Sequence, residues 1–266
     1  MLDLRRTVFY LQLAMNNLHT LFIIVILSMT THSHADNHIG ISQDKTHLKE
    51  SIIISQPSLE YSFFQVIAQH VLTEAYARIG KRAVFQGYPI KRSLTIADNG
   101  VTDGELARVA GLHNRYSNLI QISVPISYDQ AIVYSKKYAF KVEGWQSLKP
   151  YKINYNNGFI YAEQKTKGMD VEVVTTVEQG LQKLNAGRSD LFIGLLGEQC
   201  LIKKLNLPDI KSLNPPLDTQ NLFHYLHKRH KDLALKLEAV LLQMQESGEL
   251  KAIQVQARQY FFNQCE

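Results

Sequence analysis

Three evenly spaced histidines, His224, His227 and His230, are the side chains whose type and spacing could hold a metal ion. Imidazole nitrogens are common zinc ligands. The apolar residues around His224 are typical of a strand, and successive side chains of a strand point to opposite faces. His224 and His227 would then face apart, so we expect ordinary polar histidines and no metal site.

Motifs of common enzymes are missing from the sequence. It contains no Gly-x-Ser-x-Gly turn, no His-Glu-x-x-His helix and no phosphate-binding glycine loop. Glu105 is the one residue that we name as a candidate for acid–base chemistry, a role that would need a shifted pKa in a cleft. We therefore predict a protein that is not an enzyme and needs no cofactor.

The two cysteines could form a disulfide bond. Cys200 and Cys265 are 65 positions apart, and an oxidising compartment would permit the bond. The sequence does not show whether their Cα atoms come within bonding range. Pairing and two free thiols therefore both remain open.

Composition excludes several classes of protein. The 266 residues are 45% hydrophobic and 20% charged, with a net charge of +5, a balance typical of a globular protein. Lysine and arginine pairs, such as Lys136-Lys137 and Lys203-Lys204, are scattered and form no basic stripe, so we expect no nucleic acid partner. The length favours two modest lobes over one core, and we expect a monomer.

The first residues have the pattern of a secretory signal peptide. Arg5 and Arg6 precede an apolar run over residues 21–27, and Ser33-His34-Ala35 has the small-x-small pattern of a cleavage site. A membrane anchor is the alternative, but the apolar run is shorter than the ~20 residues that cross a bilayer. We predict that residues 1–35 are removed and that the protein is exported to the periplasm.

Apolar periodicity predicts strands and helices in alternation. A helix over 59–79 lies between two short β-branched or aromatic runs, and strand, helix and strand in this order form a parallel unit. The same alternation begins again after residue 150, and two helices end the chain. The predicted strands are 52–54, 83–85, 119–125, 131–134, 151–155, 171–174, 190–194 and 222–226, and the other predicted helices are 90–98, 176–184, 231–247 and 250–262.

Five short sequence segments, in this order along the chain, resemble segments of the family 3 solute-binding proteins, which commonly serve polar amino acid uptake. They are PIKRSL at 89–94, NGVTDGE at 99–105, residues 115–125, NAGRSD at 185–190 and GELKAI at 248–253. The resemblance implies an α/β fold of the two-lobed type II periplasmic-binding-protein kind. Each lobe would be a mixed, mostly parallel sheet flanked by helices, and two hinge strands would cross between the lobes. The lobes would comprise residues 36–134 plus 219–266 and residues 135–218.

The resemblance also implies a ligand between the lobes and two arginines that would hold a carboxylate. Arg115, in Leu112-His113-Asn114-Arg115, matches the arginine of the family's Thr-x-x-Arg segment, and a guanidinium can donate two parallel hydrogen bonds to a carboxylate. A surface position beside Tyr116 is the alternative for Arg115. Arg108 follows the Asp103-Gly104 turn, where the family's strand faces the cleft, and could instead pair with Glu105 or Asp103.

Aromatic residues are the next group of ligand contacts that the resemblance implies. Tyr61 and Phe63 follow the first strand, where family members stack an aromatic ring on the ligand. Phe63 and Phe64 could also be plain core residues, and we expect Tyr61 in the cleft and Phe64 in the core. Tyr128 lies beside the predicted hinge.

The second lobe would add backbone N–H groups and an acid. Asn157-Gly158 precedes a helix, and N–H groups at a helix start favour anions. Family members usually place an acidic residue for the α-ammonium group where this chain has Leu195, and Glu198 is the only nearby substitute. Unless Glu198 substitutes, an α-ammonium group would be buried without a counter-charge, so we expect a ligand other than a standard amino acid. The arginines predict a small polar, carboxylated ligand, delivered to an ABC-type transporter through a membrane permease or reported to a sensor. A periplasmic lyase or dehydratase on the same fold is the alternative.

Overall fold

The computed structural model describes residues 50–59 and 62–265. The predicted signal peptide and Tyr61 lie outside these residues. The described residues contain no helix that is both long and apolar enough to span a membrane.

Eight strands form one mixed sheet. They are β1 (Ser51–Pro57), β2 (Arg82–Tyr88), β3 (Gly104–Arg108), β4 (Leu119–Ser135), β5 (Ile153–Asn156), β6 (Val171–Val174), β7 (Leu191–Leu195) and β8 (Lys211–His227). Their spatial order is β2-β1-β3-β8-β4-β7-β5-β6.

Seven α-helices occur in the described part of the chain. They are α1 (Phe63–Arg78), α2 (Ile90–Asp98), α3 (Ile160–Lys165), α4 (Val177–Asn185), α5 (Glu198–Lys204), α6 (Lys231–Glu246) and α7 (Glu249–Asn263), with short 3-10 turns at Leu112–Asn114, Trp145–Leu148 and Lys228–His230.

The sheet consists of two parallel groups joined by one long antiparallel ribbon. β1 pairs in parallel with β2 and β3, and β5 pairs in parallel with β6 and β7. The 17-residue strands β4 and β8 pair with each other between these groups. We call β1–β3 with their helices the first half, β5–β7 with theirs the second half, and β4 with β8 the hinge ribbon. The predicted α/β fold with two crossing strands is confirmed.

Helix α1 forms because its apolar side chains recur at helical spacing. Ile67, Val71 and Ala75 are fully buried against the sheet, as expected for one face of a helix. The helix ends before Gly80, whose φ of +73° lies in the left-handed region that glycine adopts without strain.

The hinge ribbon differs from the prediction at both of its strands. β4 is continuous where the sequence predicts two runs, and β8 begins at Lys211, eleven residues before the predicted strand. Proline removes a hydrogen-bond donor and is rare inside strands, so Pro215-Pro216 concealed the early part of β8. The structure accommodates residues 214–217 as a bulge, because Ala131 pairs with Asp218 and Val133 pairs with Leu213.

The two cysteines form a disulfide bond, one of the two possibilities that the sequence left open. Cys200 lies in α5 and Cys265 follows α7, and the two are bonded with their Cα atoms 4.9 Å apart. The bond therefore joins a helix of the second half to the end of the last helix of the first half.

Candidate functional site

Two adjoining cavities lie between the halves. The hinge cavity has a volume of about 270 Å³ and the side cavity about 570 Å³. The hinge cavity is lined by Phe64, Ala107, Arg108, Val109, Asp129, Ala131, Phe159, Tyr161, Leu195, Asp218, Gln220 and Leu222. The side cavity is lined by Leu59, Ser62, Phe63, Phe64, Ile90, Asp129, residues 156–159, residues 176–178, Leu195, Gly197, Glu198 and Leu201. Four residues border both: Phe64, Asp129, Phe159 and Leu195.

The pleat of the hinge ribbon divides its side chains between two faces. Alternate residues of the paired strands line the hinge cavity, and we call them the cleft face: Asp129, Ala131, Asp218 and Gln220. The residues between them form the back face and line a different cavity of about 420 Å³: Tyr128, Gln130, Thr219 and Asn221. Tyr128, named from the sequence as a ligand contact, therefore borders the back cavity, and its ring lies 5.5 Å from that of Phe63.

Asp129 is the carboxyl group that borders both cavities. Its Oδ1 atom accepts a hydrogen bond from the backbone N–H of Gln130 at 2.9 Å. Burial raises the pKa of the Asp129 carboxyl to about 7, and the hydrogen bond from Gln130 opposes the rise. Among the described residues no lysine, arginine or histidine forms an ion pair with it.

Asp218 is the second carboxyl group of the cleft face. It accepts a hydrogen bond from the hydroxyl of Tyr161 and another from the backbone N–H of Thr219 at 2.7 Å. Within the described part of the chain it has no cationic partner either. The ring of Tyr161 is held edge-on by Trp145, with 5.5 Å between the ring centroids.

Arg108 borders the hinge cavity but already has a carboxylate partner. Its Nε atom donates to Oε1 of Glu105 at 2.7 Å, and Nη2 donates to the hydroxyl of Ser93 and the carbonyl of Ile90, both at 3.2 Å. Of the alternatives left open by the sequence, the structure shows pairing with Glu105 together with a place in the cavity wall. Nothing among the described residues accepts a hydrogen bond from its Nη1 atom.

Glu105, the predicted acid–base candidate, is held away from the cavities. It is fully buried, and its Oε2 atom accepts hydrogen bonds from the hydroxyls of Ser55 at 2.7 Å and Ser93 at 2.5 Å. Burial raises the pKa of the Glu105 carboxyl, and the positive charge of Arg108 opposes that rise. The group acts as the anchor of Arg108.

The two phenylalanines at the start of α1 both border the side cavity, and both pack in or against the core. Phe63 is 2% exposed and packs edge-on against Phe261, with 5.5 Å between the ring centroids, although it also borders the side cavity. Phe64 lines both cavities, so the expectation that Phe64 is a core residue is corrected. The hydroxyl of Ser127 donates to the carbonyl of Phe64 at 2.8 Å and ties this end of α1 to β4.

Asn157 and Gly158 border the side cavity immediately before α3. The N–H of Asn157 donates to the carbonyl of Val174 at 2.7 Å. Gly158 has a φ of +90°, and its N–H has no acceptor among the described residues. This turn brings Phe159 to the wall of both cavities.

Glu198 is the first residue of α5 and borders the side cavity. Its Oε2 atom is buried and has no hydrogen-bond partner in the part of the chain that is described. Burial raises the pKa of Glu198 well above its usual value; a backbone hydrogen bond from Leu195 opposes this rise, and the nearby charge of Asp129 adds to it. Burial therefore favours the protonated form of this carboxyl group.

Arg115 is not brought to either cavity. It is exposed, and its guanidinium lies 5.6 Å from the centroid of the Tyr116 ring. The chain is already exposed at residues 109–111, before the 3-10 turn Leu112–Asn114 that leads to Arg115. The position beside Tyr116, which was the alternative expectation, is the one observed.

The three histidines lie apart from the cavities. His224 is buried, with Nε2 2.9 Å from the hydroxyl of Tyr76, and burial lowers its pKa to about 4. His230 contacts the carboxylate of Asp103 at 2.6 Å. No group of three or more potential metal ligands occurs within residues 50–59 and 62–265.

Solved structures share this arrangement of two halves. A probable amino-acid ABC transporter extracellular-binding protein from Bacillus subtilis matches with a TM-score of 0.62 at 12% identity, over 78% of this chain and 97% of that one. A histidine kinase sensor domain with similarity to periplasmic binding proteins matches with a TM-score of 0.59 at 15% identity, over 78% and 96%. The chain has the type II periplasmic-binding-protein fold. The two halves are the two lobes of that fold, and the cavities lie in its interlobe cleft.

Other comparisons extend this result. An ancestral arginine-binding protein bound to glutamine has the same fold, with a TM-score of 0.56 at 15% identity over 78% of this chain and 97% of that one. An uncharacterized protein of Shewanella oneidensis is 28% identical over 217 residues, which cover 78% of this chain and 81% of that protein. No protein-family model matches the chain.

Sequence reasoning missed the two acids of the type II cleft. Aspartate is depleted in strands, so Asp129 between two strand-forming runs was an available signal. Asp218 follows a proline-rich stretch that gave no strand prediction, and it had no comparable signal. Phe159 and Tyr161 also could not be predicted as cavity residues, because the sequence does not show in which direction the chain leaves the turn at Gly158.

Proposed function

We propose that this chain is an exported solute-binding protein of the family 3 kind, which closes two lobes over one small polar ligand. The lobes would be residues 36–134 plus 219–266 and residues 135–218. The observation that carries the proposal is the pair of adjoining cavities lined from both lobes and from the hinge ribbon. Concave sites between lobes that are mostly apolar, with a few polar groups, are typical of small-molecule binding.

The size and lining of the cavities favour an amino-acid-like ligand with a carboxylate. Arg108 has donors left after pairing with Glu105, and a guanidinium can hold a second carboxylate through them. The unpartnered N–H of Gly158 offers another donor on the opposite lobe. A carboxylate bound to both groups would connect the lobes, and a hinge then converts binding into closure.

A change of shape on binding needs a partner that reads it. The similar proteins include an ABC transporter binding protein and a histidine kinase sensor domain. We propose that the closed form of this chain, as a monomer in the periplasm, is recognised by a membrane permease or by a sensor. Pull-down from a membrane fraction, with and without ligand, would separate these two partners.

A lyase or dehydratase on the same fold is the second candidate class. Its named acid–base group, Glu105, is buried beneath Arg108 and does not border the cavities. The binding function is therefore the better supported of the two. Product analysis by NMR distinguishes them, because a binding protein returns its ligand unchanged.

The test is ligand capture by protein purified without denaturation. Native mass spectrometry should show one small molecule per chain, and small-angle scattering should show a more compact protein when that molecule is added. Leu195→Trp fills the wall shared by both cavities and should abolish capture. Leu235→Trp, at a residue that is 62% exposed on α6, is the matched control and should leave it intact. Equal capture by both variants would contradict the proposal.

A further inference from the structure

Building on the proposed function, we infer that the cleft face of the hinge ribbon is a binding site for a cationic nitrogen group of the ligand. Asp129 and Asp218 would hold this group between them, in the hinge cavity. The ligand class is a small organic cation, such as a primary amine or a guanidinium compound.

Strand register brings the two carboxyl groups together. Asp129 pairs with Gln220 and Ala131 pairs with Asp218, so the two acids are diagonal neighbours on one face of an antiparallel pair. Diagonal neighbours are ~7–8 Å apart, close enough for long or polar side chains to reach a shared partner. One ammonium or guanidinium group between them can donate to both, at the ~2.7–2.9 Å typical of charge-assisted bonds.

The wall of the hinge cavity has more acidic groups than free cationic groups to pair with them. Arg108 is the one cationic side chain among the described residues that line the hinge cavity, and Glu105 already pairs with it. Asp129 and Asp218 have no ion-pair partner among the described residues. Both carboxyl groups are half-buried. A partly desolvated carboxylate is more stable with a counter-charge than without one, so a ligand cation would stabilise both.

The rest of the wall suits an organic cation more than a hydrated metal ion. Phe64 and Phe159 approach from opposite lobes, and Tyr161 adds a third ring. Aromatic faces attract ammonium and guanidinium groups at short range, and apolar walls strengthen the contact by excluding water. The hydrogen bond from the Tyr161 hydroxyl orients Asp218 toward this space.

Isothermal titration calorimetry with charge-matched probes tests the inference. The probes are L-arginine, agmatine, L-lysine and cadaverine as cations, with 1,5-pentanediol as the neutral analogue of cadaverine and glutarate as an anion. We expect at least one cation to bind, and we expect the neutral and anionic probes to bind at least tenfold more weakly than that cation.

Variants locate the site. Asp129→Asn and Asp218→Asn should each weaken binding of the best cation at least tenfold, and having two variants guards against a folding defect in either. Asp209→Asn, at a side chain that is 72% exposed, should change binding less than twofold. Cation binding that survives both hinge substitutions, or preferred binding of glutarate or 1,5-pentanediol, would overturn the cation site and leave the binding function standing. Failure of every probe together with an empty native mass spectrum would overturn the proposed function and the site with it.

Discussion

The two faces of the hinge ribbon differ in charge although they are built from adjacent residues of the same strands. The cleft face carries two acids, whereas Tyr128, Gln130, Thr219 and Asn221 on the back face are all uncharged. Folding alone gives no reason to place two half-buried acids on one face, because a partly desolvated carboxyl group without a cation opposes stability. The difference indicates that the cleft face is shaped for a ligand and the back face for packing and solvent.

Charge reversal should produce the largest difference between the two faces in the affinity for a cationic probe. Asp218→Lys places a cation where we propose that the ligand's cation binds, and it should weaken binding of the best cationic probe at least a thousandfold, about 4 kcal/mol. Thr219→Lys adds the same charge one residue away on the back face and should change binding less than threefold. Calorimetry on both variants measures the contrast, and similar losses would show that the faces are not functionally distinct.

Loss of the disulfide bond should lower the stability of the protein without changing the preference of the hinge cavity for a cation over a neutral probe. Cys200 and Cys265 close a loop with a sequence separation of 65 residues. Chain entropy predicts that replacing both by serine lowers the free energy of unfolding by about 4 kcal/mol. Urea unfolding measures this loss. The ratio of cadaverine to 1,5-pentanediol affinity should stay the same, because neither cysteine borders the hinge cavity.

Binding of the cation should depend on pH through Asp129. Its carboxyl pKa is about 7 in the ligand-free protein, and a bound cation favours the ionised form. Binding should therefore release a proton, and the dissociation constant should rise about fivefold between pH 7 and pH 6. Among the described residues, the other titratable or charged groups around the two cavities are Asp218, Glu178, Glu198, Arg108, Tyr134 and Tyr161. Asp129→Asn should remove most of the pH dependence, and an unchanged profile in that variant would assign it to another group.

The pH dependence of stability independently tests the raised pKa of the Asp129 carboxyl group. A raised pKa means that the folded protein binds more protons than the unfolded chain between about pH 4 and pH 7. The wild-type protein should therefore lose stability relative to Asp129→Asn as the pH rises through that window. Thermal unfolding of both proteins at pH 4.5 and pH 7.5 measures the change. A constant difference in Tm would contradict the raised pKa.

The aromatic wall should contribute the smallest effect. Phe64→Leu removes one ring face from the hinge cavity while keeping an apolar side chain of similar reach. A cation–π contact contributes about 0.5–1 kcal/mol at partly exposed sites, so binding of the cation should weaken about threefold. Phe262→Leu, on α7 and away from both cavities, should leave affinity unchanged.

Most helices and strands could be predicted from the sequence, because the spacing of apolar residues determines where they form. Helix α2 and strand β6 have the predicted bounds, since regular apolar spacing and flanking turn residues define both. The early part of β8 was lost because prolines interrupt its pattern, and α5 was lost because seven residues are too few to show a helical period.

The site was less readable because it depends on which way side chains face. Both faces of the hinge ribbon carry polar side chains, so no alternation of apolar and polar residues reveals its register. A shift of one residue separates Tyr128, which we expected in the cleft, from Asp129, which lies there. The same one-residue ambiguity, about 100° on a helix, left open which of Phe63 and Phe64 borders both cavities.

A crystal structure of the protein grown with its best-binding cation tests the central claim most directly. We predict electron density in the hinge cavity, with the ligand's nitrogen within hydrogen-bond distance of both Asp129 and Asp218. Density in the back cavity, or against the exposed guanidinium of Arg115 with the hinge cavity filled only by solvent, would contradict it.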